Sequence, residues 1–395
     1  KTVVAVYAML AAVAHEYQAA LMAPTEVLAR QHFRTIDRLL EHSQVRRRLL
    51  VGGLSAAERE RTLHEIASGE IDLVVGTQAL IQRQVQFAKL GVVVIDEQHK
   101  FGVRQRAALR CGNQRPHCLI MTATPIPRTL TMLLFGDLDV SVLRDAPPGR
   151  KPVHTYLVQP EKRKEWWGFV RRNLDKGRQA YVVVPLVEES ESGKIESVES
   201  VFTSLRDGEL AGYDLGVVHG RLSSADKADI MERFHRHELD VLICTSVVEV
   251  GIDVPNATVM TIINAERFGL AQLHQLRGRI SRGKFPGYCG VFAESETPES
   301  QERLKAFVAT TDGFELAEID FRLRGPGEIL GTRQHGIPPF RIADLLRDAP
   351  VAEEARRDAQ ALVEQDPDLR SPEHALLRKM VLTRYGKTLD LGDVG

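Results

Sequence analysis

Two adjacent carboxylates follow an apolar run in the segment GVVVIDEQHKFG, which covers residues 91–102. The run is typical of a strand buried on both faces of a parallel sheet, and ligands bind at the carboxyl edge of such sheets. Asp96 could hold Mg²⁺ there while Glu97 orients or deprotonates an attacking water. A solvated acidic turn would produce the same residues, and His99 is not part of the H-E-x-x-H spacing of a zinc site. The chemistry therefore depends on what else lies at this edge.

A basic segment, LAQLHQLRGRISRG (270–283), carries a second group of candidate residues. Gln275 and Arg279 are four residues apart and Arg279 and Arg282 three, which would place them on one face of a helix. Such arginines can stabilise the charge that spreads over a γ-phosphate during its transfer. Taken alone, the segment is better explained as a solvated basic helix face.

Two hydroxyl groups end another apolar run, in MTATPIPRT (121–129). Thr122 and Thr124 flank one small residue and are followed by Pro125. They could link a nucleotide site to another surface, but, taken alone, the segment is better explained as a turn rich in Thr and Pro.

Short apolar runs that alternate with helical stretches must position these residues. They predict an α/β fold with parallel sheets and helices on each side. The proline-rich RDAPPGRKP (144–152) reads as a linker between two such units, whose sequences are not visibly repeated. The predicted strands are 19–24, 47–53, 72–77, 91–97 and 118–124 before the linker and 179–187, 214–220, 240–246, 257–263 and 287–293 after it.

Three further segments carry local predictions. Ser55 and Glu58 have the spacing of a capping box at a helix start. KRKEWWGFVRRNLDKG (162–177) mixes basic and aromatic residues, but its periodicity favours an amphipathic helix over a nucleic-acid site. The Gly-, Pro- and Arg-rich segment 320–340 favours a hairpin or hook over a helix, and a helical tail follows it.

The composition limits the classes of protein that fit. The net charge is −1, so a polyanion site must be a local groove rather than the whole surface. Aromatic residues make up 6%, which argues against many base-stacking platforms. No apolar run is long enough to predict a membrane span. Four scattered cysteines without metal spacing favour reduced thiols and a cytoplasmic protein.

Taken together and in this order, the segments resemble the motor of superfamily 2 helicases, and within that superfamily the RecG family. DEQH (96–99) matches the Walker B box, MTATPIPRTL (121–130) motif III and QLHQLRGRISRG (272–283) motif VI. MAPTEVLARQH (22–32) matches motif Ia, GTQALI (76–81) motif Ib and VVEVGIDVPNATVM (247–260) motif V, while VEESES (187–192) is similar to a loop of the RecG family. Ser281 departs from the family pattern, since motif VI usually has glycine there.

The resemblance implies two tandem RecA-like domains, 1–148 and 149–300, and a C-terminal hook with a helical tail, 301–395. It also implies an ATP-dependent helicase or translocase that acts on branched DNA, such as stalled forks and Holliday junctions, in recombination and repair. A bacterial monomer associated with the nucleoid, with DNA and single-strand-binding protein as partners and no membrane, fits this family. A duplex translocase similar to transcription-repair coupling factors, or a non-catalytic module with a helicase fold, is the alternative.

The resemblance also assigns roles within the nucleotide site. Asp96 would hold Mg²⁺ and Glu97 would activate water, with Gln275, Arg279 and Arg282 completing the catalytic set. Other residues are expected near ATP or between ATP and the moving domains. Gly251 and Asp253 would line the ATP site, and His99, Thr122 and Thr124 would couple nucleotide state to domain movement.

The family's DNA contacts fall on two regions. Pro24, Thr25 and Thr77 would face the phosphate backbone, which carries no sequence information. In the hook, Arg322, Arg324 and Gln334 would transmit domain closure to DNA. The alternative is that this element is a structural C-terminal clasp between the domains.

The first two residues resemble the end of a Walker A box, G-x-x-x-x-G-K-[ST]. In the family Lys1 would reach the β- and γ-phosphates, and Thr2 would bind Mg²⁺. Because the phosphate-cradling glycines are not in the sequence, we expect this chain alone to bind ATP weakly or not at all. Nothing in it resembles the family's wedge domain, so we also expect it to lack selectivity for junctions.

Overall fold

The computed structural model describes residues 1–82, 84–97, 116–123, 139–143, 151–185, 198–245, 254–280, 283–294, 297–329 and 347–392. These ranges contain eleven strands and eleven α-helices. The strands are β1 Gln18–Met22, β2 Arg47–Leu50, β3 Leu73–Gly76, β4 Leu90–Asp96, β5 His117–Met121, β6 Val153–Leu157, β7 Gln179–Val183, β8 Leu215–Val218, β9 Val241–Cys244, β10 Ala257–Ile262 and β11 Gly287–Val291. The helices are α1 Thr2–Ala14, α2 Glu26–Leu39, α3 Ala56–Ala67, α4 Arg163–Leu174, α5 Val198–Asp207, α6 Ser224–His235, α7 Leu270–Arg277, α8 Pro298–Ala309, α9 Gly313–Ile329, α10 Ala349–Gln365 and α11 Ala375–Gly392.

The first sheet has five parallel strands in the order β2-β3-β1-β4-β5. Successive residues of its central strand β1 enter opposite cores, because side chains alternate across a sheet. Ala19 and Leu21 pack with α1 and α2, whereas Ala20 and Met22 pack on the other face with Ile66 of α3. Burial on both faces explains the unbroken apolar runs, and all five predicted strands are confirmed.

The second sheet has six parallel strands in the order β6-β11-β10-β7-β9-β8. The five strands predicted after the linker are confirmed. The edge strand β6 was missed, because its sequence VHTYL alternates between polar and apolar residues instead of forming an apolar run. This pattern suits its place at the edge, where Tyr156 is 47% exposed.

The helix α4 confirms the prediction of an amphipathic helix for residues 162–177. Trp166, Val170 and Leu174 are buried against the second sheet, and the Trp166 indole N–H donates to Thr261 Oγ1 at 2.9 Å. Gly177 follows in the left-handed conformation, with φ 70°, and its N–H donates to the Leu174 carbonyl. The aromatic residues of this segment therefore pack in the hydrophobic core.

The two sheets repeat the same construction, which the sequence did not reveal. The order β8-β9-β7-β10-β11 corresponds strand by strand to β2-β3-β1-β4-β5. The register pairs Ala19 with Leu73 in one sheet and Ala180 with Val241 in the other. The corresponding helices α3 and α6 are both capped by serine. Ser55 forms the predicted capping box with Glu58, and Ser223 accepts from the N–H of Asp226.

A buried glutamine holds the amino-terminal edge of each sheet. Gln18 Nε2 donates to the carbonyls of Ile66 and Ile71 at 3.0 and 2.8 Å. At the matching position, Gln179 Nε2 donates to the carbonyls of Phe234 and Leu239 at 2.6 and 2.8 Å. Each amide oxygen also accepts a hydrogen bond, from the Lys89 N–H in the first sheet and from Asn256 Nδ2 in the second. The glutamine thus ties the central strand to the loop that leads into its neighbour.

An aspartate repeats beside each glutamine. Asp72 Oδ2 accepts from the Arg46 N–H at 2.8 Å, and Asp240 Oδ2 accepts from the Asp214 N–H at 3.0 Å. These contacts join the strand entries of β2 and β3 in one sheet and of β8 and β9 in the other. The sequence signal is short, GEID (69–72) against HELD (237–240), which is why the repeat is not visible without the structure.

The C-terminal helices correct one prediction. Residues 320–329 belong to α9, so the first half of the segment 320–340 is helical and not a hairpin; residues 330–340 lie outside the described ranges. The helix is anchored around the start of the segment, because Leu316, Ala317 and Phe321 are buried at helical spacing. The predicted helical tail is confirmed by α10 and α11. None of the helices in the described ranges is long and apolar enough to cross a membrane.

We expect Gln18→Ala and Gln179→Ala to destabilise the protein to a similar degree. Each substitution removes the donor to a buried carbonyl, that of Ile71 for Gln18 and that of Leu239 for Gln179, at about 1–3 kcal/mol for each unsatisfied group. The carbonyls of Ile66 and Phe234 keep the N–H groups of Gly69 and His237 as donors. The midpoint of urea unfolding, followed by circular dichroism, measures this loss. Gln360→Ala on the exposed face of α10 is the control and should leave the midpoint unchanged. An unchanged midpoint for either buried glutamine would contradict the structural role.

Candidate nucleotide-binding site

The two carboxylates lie at the carboxyl end of β4, at the edge of the sheet where the sequence predicted them. Asp96 is the last residue of the strand and pairs with Met121 of β5. Glu97 leaves the strand in the left-handed conformation, with φ 54°. Its N–H still donates to the Met121 carbonyl at 2.9 Å, and its Oε2 accepts from the Ala123 N–H at 3.5 Å. Both carboxylates are half-buried.

The left-handed turn after β4 is repeated in the second sheet, but its chemistry is not. The register that matches Val92 with Val259 places Ile263 and Asn264 at the positions of Asp96 and Glu97. Asn264 has φ 51°, close to the value for Glu97. The turn therefore belongs to the shared fold, whereas the pair of carboxylates belongs to the first sheet.

Lys1 brings a positive charge to the same place. Its Nζ donates to the carbonyl of Thr122, the residue that follows β5. The pKa of the Lys1 ammonium group is lowered, chiefly because the group loses water, while the negative charges of Glu97 and Asp96 oppose this effect. The structure thus brings together four predicted site residues, Lys1, Asp96, Glu97 and Thr122. Thr2 is the first residue of α1 and follows Lys1 directly in the chain.

His32, on α2, is a member of this cluster that sequence reasoning missed. Its Nε2 lies 2.7 Å from Asp96 Oδ2, and the two side chains are only 12% and 15% exposed. The segment MAPTEVLARQH contains this histidine, but nothing in its spacing indicates a partner 64 residues away. The contact depends on the tertiary fold, which brings the His32 side chain to the end of β4.

The donor set fits a magnesium ion that is held mainly by phosphates. His32 engages Oδ2 of Asp96, which leaves Oδ1 for a cation or its water. No group of three or more His, Cys, Asp or Glu side chains among the described residues could hold a metal. Mg²⁺ typically needs only one or two carboxylates, with waters and substrate phosphates supplying the remaining ligands.

The loop residues expected to face DNA lie at the same edge of the first sheet. Pro24 and Thr25 follow β1, and Thr77 follows the neighbouring β3. Both threonines cap helical turns, a role that the sequence analysis did not assign. Thr25 Oγ1 accepts from the Leu28 N–H at 3.4 Å, and Thr77 Oγ1 accepts from the Ala79 N–H at 3.5 Å.

Motif VI has a shorter helix than its spacing predicted. Helix α7 ends at Arg277, and the Arg279 N–H donates to the Leu276 carbonyl in the following turn. Gln275 and Arg279 therefore do not share one helix face, because the helix stops just before Gly278 and the chain turns there.

Arg277, beside these candidates, is a buried charge that the sequence analysis did not single out. It is 3% exposed, and its Nη1 donates to Thr155 Oγ1 of β6 at 3.5 Å. Loss of water lowers its pKa to about 10, although the neighbouring Cys289 acts in the opposite direction. Arg277 packs into the second sheet and so anchors the end of α7.

The remaining predicted residues divide into two groups. Arg322 is exposed on α9, and Arg324 lies on the same helix. Six others lie outside the described residues: His99, Thr124, Gly251, Asp253, Arg282 and Gln334. Ser281, the departure in motif VI, lies outside them too.

The left-handed conformation of Glu97 predicts which substitutions at this position lower the free energy of unfolding. Glu97→Val should lower the free energy of unfolding by about 1 kcal/mol or more, because a β-branched residue is strained at positive φ. Glu97→Asn should have a much smaller effect, since asparagine tolerates this conformation and Asn264 already adopts it. Urea unfolding compares the two, with Asn264→Val as the matched substitution in the second sheet. Equal midpoints for Glu97→Val and Glu97→Asn would contradict the prediction.

Three family models match successive parts of the chain. Residues 1–133 match the DEAD/DEAH box helicase family, and residues 162–284 match the helicase conserved C-terminal domain. Residues 310–391 match the C-terminal part of domain 3 of the ATP-dependent DNA helicase RecG. The first two ranges contain the first sheet and most of the second, and the third contains the C-terminal helices from α9 onward.

Curated RecG helicases match nearly the whole chain. The ATP-dependent DNA helicase RecG of Synechocystis is 46% identical over 98% of this chain and 47% of its own length. The RecG of Bacillus subtilis is 45% identical over 97% of this chain and 56% of its own length. The chain thus spans about half the length of the curated relatives it matches.

Solved structures agree with this assignment. A structure of RecG bound to a three-way DNA junction is 42% identical, with a TM-score of 0.72 over 89% of this chain and 45% of that one. Yeast Dbp5 bound to RNA and ADP BeF3 is 16% identical, with a TM-score of 0.57 over 82% of this chain and 86% of that one, and supports the fold alone. Two tandem RecA-like sheets, the carboxylates after β4 and these matches lead to one conclusion: the chain belongs to the RecG family of superfamily 2 helicases.

Proposed function

We propose that the chain carries the motor of an ATP-dependent DNA helicase and translocase that acts on branched DNA, such as stalled forks and Holliday junctions, in recombination and repair. The observation that carries this proposal is the convergence of Lys1, Asp96 and Glu97 at the carboxyl edge of the first sheet. An ammonium group opposite two carboxylates is the arrangement that phosphates and Mg²⁺ require.

In this proposal each residue of the cluster has one task. Lys1 binds the β- and γ-phosphates of ATP, and Thr2 and Asp96 hold Mg²⁺, which neutralises charge on the phosphates when it is bound. Glu97 accepts a proton from the attacking water. Its backbone hydrogen bond to Met121 supports this role, because it restricts where the carboxylate can point.

Other predicted residues complete the motor. Arg279, Arg282 and Gln275 stabilise the charge on the transferred phosphoryl group, and Gly251 and Asp253 line the ATP site. His99, Thr122 and Thr124 couple nucleotide state to movement. The position of Thr122 supports this, since its carbonyl accepts from Lys1 while its chain continues into motif III.

DNA is held through its phosphates. Pro24, Thr25 and Thr77 lie in neighbouring loops and face the backbone, and Arg322, Arg324 and Gln334 transmit movement to it. We assign residues 1–148 and 149–300 to the two RecA-like domains and residues 301–395 to the C-terminal extension. The protein acts as a monomer at the bacterial nucleoid, and single-strand-binding protein is a further partner.

Two alternatives differ in what they predict. A duplex translocase similar to transcription-repair coupling factors would show no preference for branches; the solved relative bound to a three-way junction supports the branched substrate instead. A non-catalytic helicase-fold module would not need charged groups facing each other. The placement of Lys1 beside Asp96 and Glu97 supports catalysis.

We expect DNA-stimulated ATP hydrolysis by the full-length protein to fall by about 10²- to 10⁴-fold in Glu97→Gln, because the amide cannot accept the proton from water. ATP binding should persist, since Lys1 and Asp96 are unchanged. Glu41→Gln, on an exposed turn, is the matched control and should hydrolyse ATP normally. A hydrolysis rate that neither DNA nor Glu97→Gln alters would exclude the motor.

The substrate is tested separately by competition. The full-length protein should bind and unwind a fork or four-way junction in preference to linear duplex DNA of the same length and composition. Equal binding and equal ATPase stimulation by both DNAs would favour the duplex translocase.

A further inference from the structure

The contact between His32 and Asp96 connects two segments that the motifs treat separately. His32 belongs to α2, which starts after the loop containing Pro24 and Thr25, whereas Asp96 ends β4. The Nε2–Oδ2 distance is 2.7 Å, within the range of a strong hydrogen bond to a carboxylate. Both side chains are largely shielded from solvent, so the bond is little weakened by competing water.

The chemistry of the two groups fixes the direction of this hydrogen bond. An ionised carboxylate can only accept, so the hydrogen atom is on His32 Nε2 and is donated to Asp96 Oδ2. One carboxylate oxygen is therefore engaged and the plane of the group is restricted. Its other oxygen, Oδ1, is left for the cation.

The helix that carries His32, α2, is packed into the hydrophobic core. Leu28, Ala29 and Ile36 of α2 are buried in the core on one face of the first sheet. At a rise of 1.5 Å per residue, His32 lies about 10 Å along the helix from the capping residue Thr25. Because buried residues of α2 lie one turn before and one turn after His32, this histidine has little freedom to leave Asp96. A displacement of α2 would therefore also move the Asp96 carboxylate.

We propose that His32 is a positioning residue that orients Asp96 for Mg²⁺ and so sets the magnesium affinity of the nucleotide site. This inference rests on the proposed function, because it needs Asp96 to hold Mg²⁺. His32 does not touch the nucleotide or the reacting water; it acts through Asp96. Hydrogen-bond partners of metal-binding carboxylates have this role in other metal sites, where removing them weakens metal binding or activity about 10- to 100-fold.

The test uses three variants of the full-length protein. His32→Ala removes the donor, whereas His32→Gln keeps an amide N–H donor at a similar distance along the side chain. His42→Ala, an exposed histidine in the turn after α2, is the matched control. Binding of a fluorescent ATP analogue is measured without DNA, first in EDTA and then across a magnesium titration, and the melting temperature is recorded for each variant.

We expect His32→Ala to raise the half-saturating magnesium concentration about tenfold or more while binding in EDTA stays unchanged. His32→Gln should lie close to the unsubstituted protein, and His42→Ala should match it. An unchanged magnesium titration for His32→Ala would overturn the inference. Weaker binding in EDTA and in magnesium alike, together with a lower melting temperature, would also overturn it, because it would show a structural role for the histidine.

This test separates the inference from the proposed function. If the unsubstituted protein binds the nucleotide in a magnesium-dependent way but shows no DNA-stimulated hydrolysis, the motor proposal fails while the role of His32 is still decided by the titration. If the unsubstituted protein shows no magnesium-dependent binding at all, both proposals fail together.

Discussion

The parallel pairing of β4 between β1 and β5 determines where the candidate chemistry lies. Parallel strands end at the same edge of a sheet, so the residues that follow each strand become neighbours although they are far apart in the chain. Thr25 follows β1, Thr77 follows β3, Asp96 ends β4 and Thr122 follows β5. Lys1 joins them through its contact with Thr122. A change of register at β4 would move Asp96 away from both His32 and Lys1.

Comparison with the second sheet separates the features of the carboxyl edge that both sheets share from the side chains found only in the first sheet. Its turn after β10 has the same left-handed residue as the turn after β4, but with asparagine in place of glutamate. The preceding residue is Ile263 instead of Asp96, and an apolar side chain cannot hold a cation. The two sheets therefore share a backbone conformation at this turn but differ in the side chains that it presents. The first sheet has carboxylates at this edge, whereas in the second sheet the connection from β10 to β11 contains α7 and the buried Arg277.

Sequence patterns predicted most of the strands and several local features, and the failures have physical reasons. Ten strands were predicted from apolar runs, and in the central strands, such as β1, β3, β7 and β9, burial on both faces excludes polar residues. β6 escaped this signal, because its sequence VHTYL alternates between polar and apolar residues along the whole strand. The end of α7 at Arg277 could not be read from the spacing of arginines, because spacing alone does not show where a helix stops. The helical start of the segment 320–340 was hidden for a similar reason: its buried anchors, such as Leu316 and Phe321, lie at or before its beginning.

Within the site, the sequence indicated the residues that end strands but not the residues that approach from helices. Asp96 and Glu97 could be located because a strand has a recognisable end. His32 could not, because its partner is distant in sequence and a helix presents many side chains to a sheet. Arg277 was passed over because its neighbours Gln275 and Arg279 match the motif, while its burial depends on the packing of α7 against β6.

The glutamines at the amino-terminal edges of the two sheets bear on how the two halves of the chain arose. Gln18 and Gln179, each with its aspartate, make the same contacts in both halves, which is the trace that a duplicated ancestral unit would leave. These contacts hold the strands in register from the side of the sheet that faces away from the ligand edge. Loops at the opposite edge could therefore diverge without loss of the scaffold. The two sheets thus share side-chain contacts at the amino-terminal edge, whereas at the carboxyl edge they share the backbone turn but not the side chains.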